Sequence, residues 1–217
     1  MRTPVSIAPR SSALVVVDMQ RTFLEPGGAM FVEAAEAVIP VVAATAAICR
    51  ESGMLVVWTR MSHEFMRGGG YPEMFPQHFE ADGTPKLRRG IPGFELHPAL
   101  GAAPTDIFID KFKYSAFAGT NLSSILRQAG RDTVVVAGIA TNVCCESTAR
   151  AAFAEDFRVA MLSDATATGN AEAHTAALKT VGLAFGCVLS LAQLKGLLCK
   201  CGDSAGEPSG TPGRAEP

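Results

Sequence analysis

The fold is decided by the stretch TVVVAGIATNVCCE, residues 133–146 of this 217-residue chain. Its apolar, β-branched start, Thr133–Ala137, predicts a strand, and the run Val143–Phe153 predicts a helix. Two thiols therefore lie at a helix start, beyond the carboxyl end of a strand. Backbone N–H groups are unpaired there and the helix dipole favours negative charge, which stabilises a thiolate. The alternative is a buried cysteine that serves as a small apolar side chain.

Outward from this stretch, short apolar runs alternate with longer helical patterns. Such alternation predicts a three-layer α/β/α fold with a mostly parallel, roughly six-stranded Rossmann-like sheet. The predicted strands are Ala13–Val17, Met54–Thr59, Asp106–Asp110, Thr133–Ala137, Phe157–Leu162 and a short Val188–Leu189. The predicted helices are Ala34–Glu51, Thr120–Gln128, Val143–Phe153, Ala171–Thr180 and Ala192–Leu198.

The chain length predicts a single domain over residues 1–198. Within it, residues 62–104 form a Gly/Pro-rich connection, far longer than the usual βα loop of about 2–6 residues. We expect this connection to serve the active site or a subunit interface, or its aromatic residues to pack as a satellite core. Residues 199–217 are rich in Gly, Pro, Ser and Glu and predict a disordered tail.

Composition excludes several classes of function. A net charge of −2 without a Lys/Arg cluster gives no electrostatic footprint for nucleic acid. No apolar run reaches the roughly 18 residues that a membrane span needs. The first apolar run is cut by Asp18 and is too short for a signal peptide, so the sequence predicts a cytoplasmic protein. Its six cysteines would then be free thiols, and the lone Cys199-x-Cys201 pair is weak evidence for a metal.

Three chemically distinctive residues follow predicted strands. Asp18 ends the first strand, Lys111 follows the third, and Cys144 lies beyond the fourth. An open parallel sheet places its ligand crevice at the carboxyl ends of its strands. A half-buried carboxylate is costly unless it is paired, and a lysine and a thiol are suitable partners. The alternatives are that Asp18 caps a turn and that Lys111 is a solvated loop lysine.

Three motifs in this order resemble the isochorismatase-like cysteine hydrolases: DMQ at 18–20, KFKYSAF at 111–117 and GIATNVC at 138–144. That superfamily includes nicotinamidases, N-carbamoylsarcosine amidases, biuret hydrolases and ureidoacrylate amidohydrolases. The resemblance runs from about Ala13 to Leu194 and implies the isochorismatase-like hydrolase fold. It departs after Asp18, where Arg21 and Thr22 stand in place of the family's frequent Asn-Asp.

The resemblance implies a catalytic triad in which Cys144 is the nucleophile, Asp18 its base and Lys111 the group that steadies both. Lys111 is favoured over Lys113 because it directly abuts the strand, as the family lysine does. Cys144 is favoured over Cys145 because the family nucleophile immediately follows the Thr-x-Val stretch. A nearby ammonium and a helix start lower the pKa of a thiol, so we expect a thiolate, with Asp18 carrying the proton to the leaving nitrogen.

The same resemblance implies oxyanion donors and pocket residues. The donors are the backbone N–H groups of Ala140 and Cys144, and the peptide bond Ile139–Ala140 is expected to be cis. The predicted substrate-binding side chains are Phe23, Trp58 and Tyr114.

No metal or other cofactor is predicted. Nicotinamidases place Asp-x-His and a further His after the second strand to bind a divalent ion. The matching stretch here carries His63 without an Asp two residues before it, and a lone histidine is not a metal site. The spacing of His78, His97 and His174 is not typical of metal ligands. Nicotinamide is therefore disfavoured as the substrate.

The resemblance implies a hydrolase acting on carbon–nitrogen bonds other than peptide bonds. It would cleave a small linear amide or an N-carbamoyl (ureido) compound through a thioester acyl-enzyme, releasing ammonia or amine. One alternative is hydrolysis of a vinyl ether such as isochorismate, although members with that activity typically lack the cysteine. Another is a non-catalytic or redox thiol protein on the same fold. The expected partners are the small-molecule substrate and further copies of the chain, as a homodimer or homotetramer.

Overall fold

The computed structural model describes residues 7–66 and 70–203, with side chains up to residue 199. A six-stranded, all-parallel sheet runs through its middle in the order β3-β2-β1-β4-β5-β6. The predicted α/β class is confirmed. The strands are β1 Ser12–Val17, β2 Leu55–Met61, β3 Ile107–Lys111, β4 Thr133–Ile139, β5 Arg158–Ala167 and β6 Cys187–Leu189.

Helices cover both faces of this sheet. The α-helices are α1 Arg21–Leu24, α2 Ile39–Glu51, α3 Tyr71–Met74, α4 Leu122–Gln128, α5 Glu146–Ala154, α6 Ala171–Thr180 and α7 Leu191–Asp203. Two π-helical turns span Thr141–Cys145 and Val181–Phe185. Short 3₁₀ helices span Pro9–Ser11, Glu33–Val38, Pro76–His78, Pro92–Phe94 and Pro98–Leu100.

The central strand β1 is buried on both faces, and its alternating side chains supply two separate cores. Leu14 and Val16 pack with α2 and α7, whereas Val15 and Val17 pack with α4 and α5. Because successive side chains of a strand point to opposite faces, one run of apolar residues serves both layers. This explains why the strand is apolar throughout instead of alternating with polar residues.

Several predicted element boundaries differ from the observed ones. The helix predicted from Ala34 begins as a 3₁₀ helix, and the α-helix starts at Ile39 because Pro40 fits only the first turn. The helix predicted from Val143 begins as a π-helical turn over Thr141–Cys145, and the α-helix α5 starts at Glu146. The tail was predicted to begin at Cys199, but α7 continues past this residue to Asp203. Residues 204–217 lie outside the described residues.

Residues 62–66 and 70–104 of the long connection pack with the last residue of β2 as a satellite core beside the carboxyl edge of the sheet. Met61, Met66, Leu87 and Phe94 form its buried centre. Tyr114, from the loop after β3, packs against it. The connection therefore forms a wall next to the strand ends where Asp18 and Lys111 lie.

Strand β4 passes very close to β1 at Gly138. This residue has φ +108°, and a Cβ at this position would clash with the carbonyl oxygen of Val17. Only glycine adopts that backbone conformation without a steric penalty. The close approach brings the residues after β4 next to Asp18, the residue that follows Val17.

Candidate active site

Two of the predicted site residues, Asp18 and Lys111, form an ion pair across the carboxyl end of β2. Lys111 ends β3 and Asp18 follows β1, with β2 between them. The Lys111 Nζ lies 2.6 Å from the Asp18 Oδ2, and both side chains are buried. The lysine reaches across the end of β2, so the pairing depends on its full length.

Neighbouring groups fix both partners of this pair. The Lys111 Nζ donates hydrogen bonds to the carbonyls of Lys113 and Tyr114, each at 3.1 Å. The Thr59 hydroxyl donates to the Asp18 Oδ1 at 2.8 Å. Asp18 itself adopts a left-handed φ of +52°, a conformation that costs energy for a residue other than glycine and recurs at functional sites.

Cys144 lies in the π-helical turn that follows β4. Its carbonyl accepts a hydrogen bond of 2.7 Å from the Thr148 hydroxyl, which also accepts one of 3.0 Å from the Ala116 N–H. Thr148 therefore joins the turn that carries the thiol to the loop that follows Lys111. The neighbouring Cys145 is fully buried, and its Sγ lies 3.9 Å from the Ala137 carbonyl oxygen instead of facing the cavity.

Cys144 lines the same cavity as Asp18, and the charges of Asp18 and Lys111 both act on its thiol. Burial raises the pKa of this thiol to about 12; Lys111 opposes the rise and Asp18 adds to it. The predicted lowering of the Cys144 pKa is therefore wrong for the free site, because burial outweighs the lysine. Burial would also lower the pKa of Lys111, but Asp18 and Cys144 outweigh it and the net shift is upward. The free site thus holds a neutral thiol beside an ion pair.

A cavity of about 320 Å³ opens onto Cys144 and Asp18. Of the predicted substrate-binding residues, Phe23 and Tyr114 line it. Trp58 does not: it is fully buried, and its indole N–H donates to the Asp106 carboxylate at 2.8 Å. In β2 the Trp58 side chain points into the core beneath α2, so its role is structural.

The expected backbone features lie on the same wall. The peptide bond between Ile139 and Ala140 is cis, at the position that the resemblance implied, and both residues line the cavity. The Ala140 carbonyl accepts hydrogen bonds from the N–H groups of Val143 and Cys145, each at 3.1 Å. The Cys144 N–H falls between these two donors in the turn.

Three cavity residues of the long connection were not predicted as a group. The Tyr71 hydroxyl lies 3.1 Å from the His63 Nε2 and 2.8 Å from the His78 Nδ1. The two imidazoles are stacked, with centroids 5.4 Å apart. Tyr71 and His78 lie in two separate short helices and His63 lies in neither a helix nor a strand, so no single element's period joins the three residues and only the tertiary structure shows this cluster.

The cluster does not fit the metal site of the nicotinamidases. Among the described residues, no three His, Cys, Asp or Glu side chains are grouped so that they could hold an ion. Met61 stands two residues before His63, where those enzymes have a carboxylate. The Tyr71 hydroxyl contacts both imidazoles.

His63 makes stability depend on pH. Burial, followed by the positive charges of His78 and Lys111, lowers its pKa to about 4 from 6.5. The neutral imidazole stabilises the fold above pH 6.5, and this contribution is lost as the pH falls towards 4. We expect a loss of up to about 3 kcal/mol in the free energy of unfolding from this residue.

Urea unfolding between pH 7.5 and 4.5 tests this expectation. The free energy of unfolding should depend less steeply on pH for His63→Gln than for wild type. His97→Gln, outside the cluster, should keep the wild-type slope. Equal slopes for His63→Gln and wild type would contradict this assignment.

Comparisons with known proteins agree with this fold. The family profile described as Isochorismatase domain matches residues 12–193. The Ureidoacrylate amidohydrolase RutB of Methylobacterium radiotolerans is 32% identical, covering 98% of this chain and 86% of that protein. A probable inactive nicotinamidase of Arabidopsis thaliana is 35% identical, covering 77% of this chain and 86% of that protein. The crystal structure of a cysteine hydrolase from Pseudomonas syringae pv. phaseolicola superposes with a TM-score of 0.84 at 29% identity, covering 93% of this chain and all of that one.

The chain therefore belongs to the isochorismatase family and is a hydrolase of that family. Within the described ranges, the helices are too short or too polar to cross a membrane.

Proposed function

We propose that this protein is a cysteine-dependent amidohydrolase that cleaves a small linear amide or an N-carbamoyl compound. One observation carries the proposal: Cys144 and Asp18 line the same cavity, and the Lys111 ammonium lies 2.6 Å from the Asp18 carboxylate. Nucleophile, base and cation are the groups that acyl transfer to a thiol needs. The relative named for ureidoacrylate hydrolysis supports an action on carbon–nitrogen bonds other than peptide bonds.

The first half of the reaction forms an acyl-enzyme. As the Cys144 Sγ attacks the substrate carbonyl, its proton passes to the Asp18 carboxylate. A base is required because the pKa of the buried thiol is raised to about 12. The N–H groups of Ala140 and Cys144 donate to the oxyanion of the tetrahedral intermediate. Asp18 then delivers the proton to the leaving nitrogen, ammonia or amine departs, and a thioester remains.

The second half restores the enzyme. Asp18 removes a proton from water, the resulting hydroxide attacks the thioester carbonyl, and the thiolate leaves and regains that proton. Lys111 stays cationic throughout, since its neighbours raise its pKa. It remains the ion-pair partner of the Asp18 carboxylate and balances the negative charge that develops on the sulfur.

A screen for ammonia release tests the proposal. The panel contains ureido acids, biuret, nicotinamide and simple amides, and hydroxylamine is added to trap a thioester as a hydroxamate. We expect release from at least one linear amide or ureido compound, with the trapped acyl group derived from the same compound. Stoichiometric alkylation of Cys144 without turnover of any compound would contradict the proposal and favour a thiol protein without this activity.

A further inference from the structure

The Tyr71–His63–His78 cluster adds a polar wall to a cavity that is otherwise largely apolar. Its two hydrogen bonds differ in length, 2.8 Å from the Tyr71 hydroxyl to the His78 Nδ1 and 3.1 Å to the His63 Nε2. A hydroxyl has one proton to donate and can also accept. A Tyr71 hydroxyl that donates to His78 therefore accepts from the His63 Nε2–H.

This proton arrangement leaves one nitrogen without a partner. The Nδ1 of His63 is buried and has no hydrogen-bond partner among the described residues. With the proton on Nε2, a neutral His63 has an acceptor at Nδ1. A buried acceptor without a donor is unfavourable, and His63 lines the cavity, so a ligand can supply the missing donor.

The charges around the cavity further restrict the class of ligand that the cavity can bind. Burial lowers the pKa of both His63 and His78, so both imidazoles are neutral near pH 7. Asp18 is the carboxylate on the wall, and its counter-ion Lys111 is already engaged by Asp18 and two carbonyls. No Lys or Arg stands among the described residues that line this cavity. A ligand carboxylate would thus be buried without a counter-charge, which is strongly unfavourable.

We propose that the cavity selects an uncharged amide or ureide, one of whose N–H groups donates a hydrogen bond to the Nδ1 of His63. Tyr71 and His78 act as positioning residues that fix the ring and its tautomer. The inference rests on the proposed function, because it concerns the substrate of the same site. It restricts the proposed N-carbamoyl substrates to uncharged compounds. Ureido acids are therefore disfavoured, including the ureidoacrylate for which the Methylobacterium relative is named.

Two alkylating probes of nearly equal size test the charge selection. Iodoacetamide is a neutral amide with N–H donors, and iodoacetate is its carboxylate counterpart. Labelling of individual cysteines is followed by mass spectrometry, with the exposed Cys199 as the internal reference in each sample. We expect the iodoacetamide-to-iodoacetate rate ratio to be at least about tenfold higher at Cys144 than at Cys199.

Variants test the hydrogen bond. His63→Leu should slow the labelling of Cys144 by iodoacetamide about five- to tenfold and change the iodoacetate rate little. Tyr71→Phe should cause a smaller loss in the wild-type background and no further loss in His63→Leu, because both act through one nitrogen. Buried Cys145 stays unlabelled in a folded variant and so reports on folding. If His63→Leu does not fold, Tyr71→Phe alone tests the same contact.

Equal or faster reaction of iodoacetate at Cys144 would overturn the inference by showing that the cavity admits a carboxylate. Additive losses in the double variant would overturn the role of His63. Ammonia release reports on the proposed function and the labelling ratio on this inference, so the two fail separately.

Discussion

Cys144→Ala is expected to lower turnover by at least about 10³–10⁴-fold while leaving the protein folded. The thiol is the proposed nucleophile, and the other catalytic groups cannot replace the bond that it forms. The substitution removes one sulfur atom beside a cavity, so the loss of packing is small. Ammonia release, measured with a substrate from the screen, gives the activity, and circular dichroism gives the fold.

Cys145→Ala is the matched control, since it makes the same change one residue later. Cys145 is fully buried between β4 and α5 and does not line the cavity. We expect it to lose about 1 kcal/mol of stability through packing and to keep its turnover within a few-fold. The assignment of the nucleophile would be wrong if Cys144→Ala retained turnover, or if Cys145→Ala alone abolished it.

Lys111→Met is expected to abolish activity and also to destabilise the fold by about 3–5 kcal/mol. The substitution leaves the Asp18 carboxylate buried without its ammonium partner at 2.6 Å, and an unpaired buried charge is strongly unfavourable. Turnover falls because the Asp18 carboxylate loses the ammonium that holds it in place, and the negative charge on the sulfur loses its counter-charge. Urea unfolding measures the first effect and ammonia release the second.

Two further variants separate charge from packing. Lys113→Met changes an exposed lysine whose backbone carbonyl, not its ammonium, serves the site, so stability should change by less than about 0.5 kcal/mol. The double variant Asp18→Asn/Lys111→Met removes both charges and should recover part of the stability but none of the activity. A double variant less stable than Lys111→Met would refute the buried ion pair as the cause.

The sequence allowed the sheet and the ion pair to be predicted, because both follow from order along the chain. Strands such as β1 and β4 are uninterrupted apolar runs, and parallel strands bring their carboxyl ends to one edge. Asp18 directly follows such a run, and Lys111 ends β3. Their meeting across β2 also depends on the strand order β3-β2-β1, which was not predicted.

Other features depend on depth and direction, which the sequence does not encode locally. Trp58 was misassigned because a strand buried on both faces gives no periodicity that tells one face from the other. The pKa of Cys144 was misjudged because the degree of burial is a property of the whole fold. The Tyr71–His63–His78 cluster joins residues of two separate short helices with a loop residue, so the spacing along the chain does not predict which side chains meet.

The hydrogen bonds of Thr148 and Lys111 also affect how substrate enters the cavity and how product leaves it. Together they hold the segment of residues 111–117 at its middle and near its end. That part of the cavity wall is anchored to a helix and a strand, whereas residues 29–32, also in the wall, lie in no helix or strand and are held by backbone hydrogen bonds to the four-residue helix α1. We expect admission of substrate and escape of product to depend on residues 29–32. The pace of release could then be tuned there without disturbing the bond-making atoms.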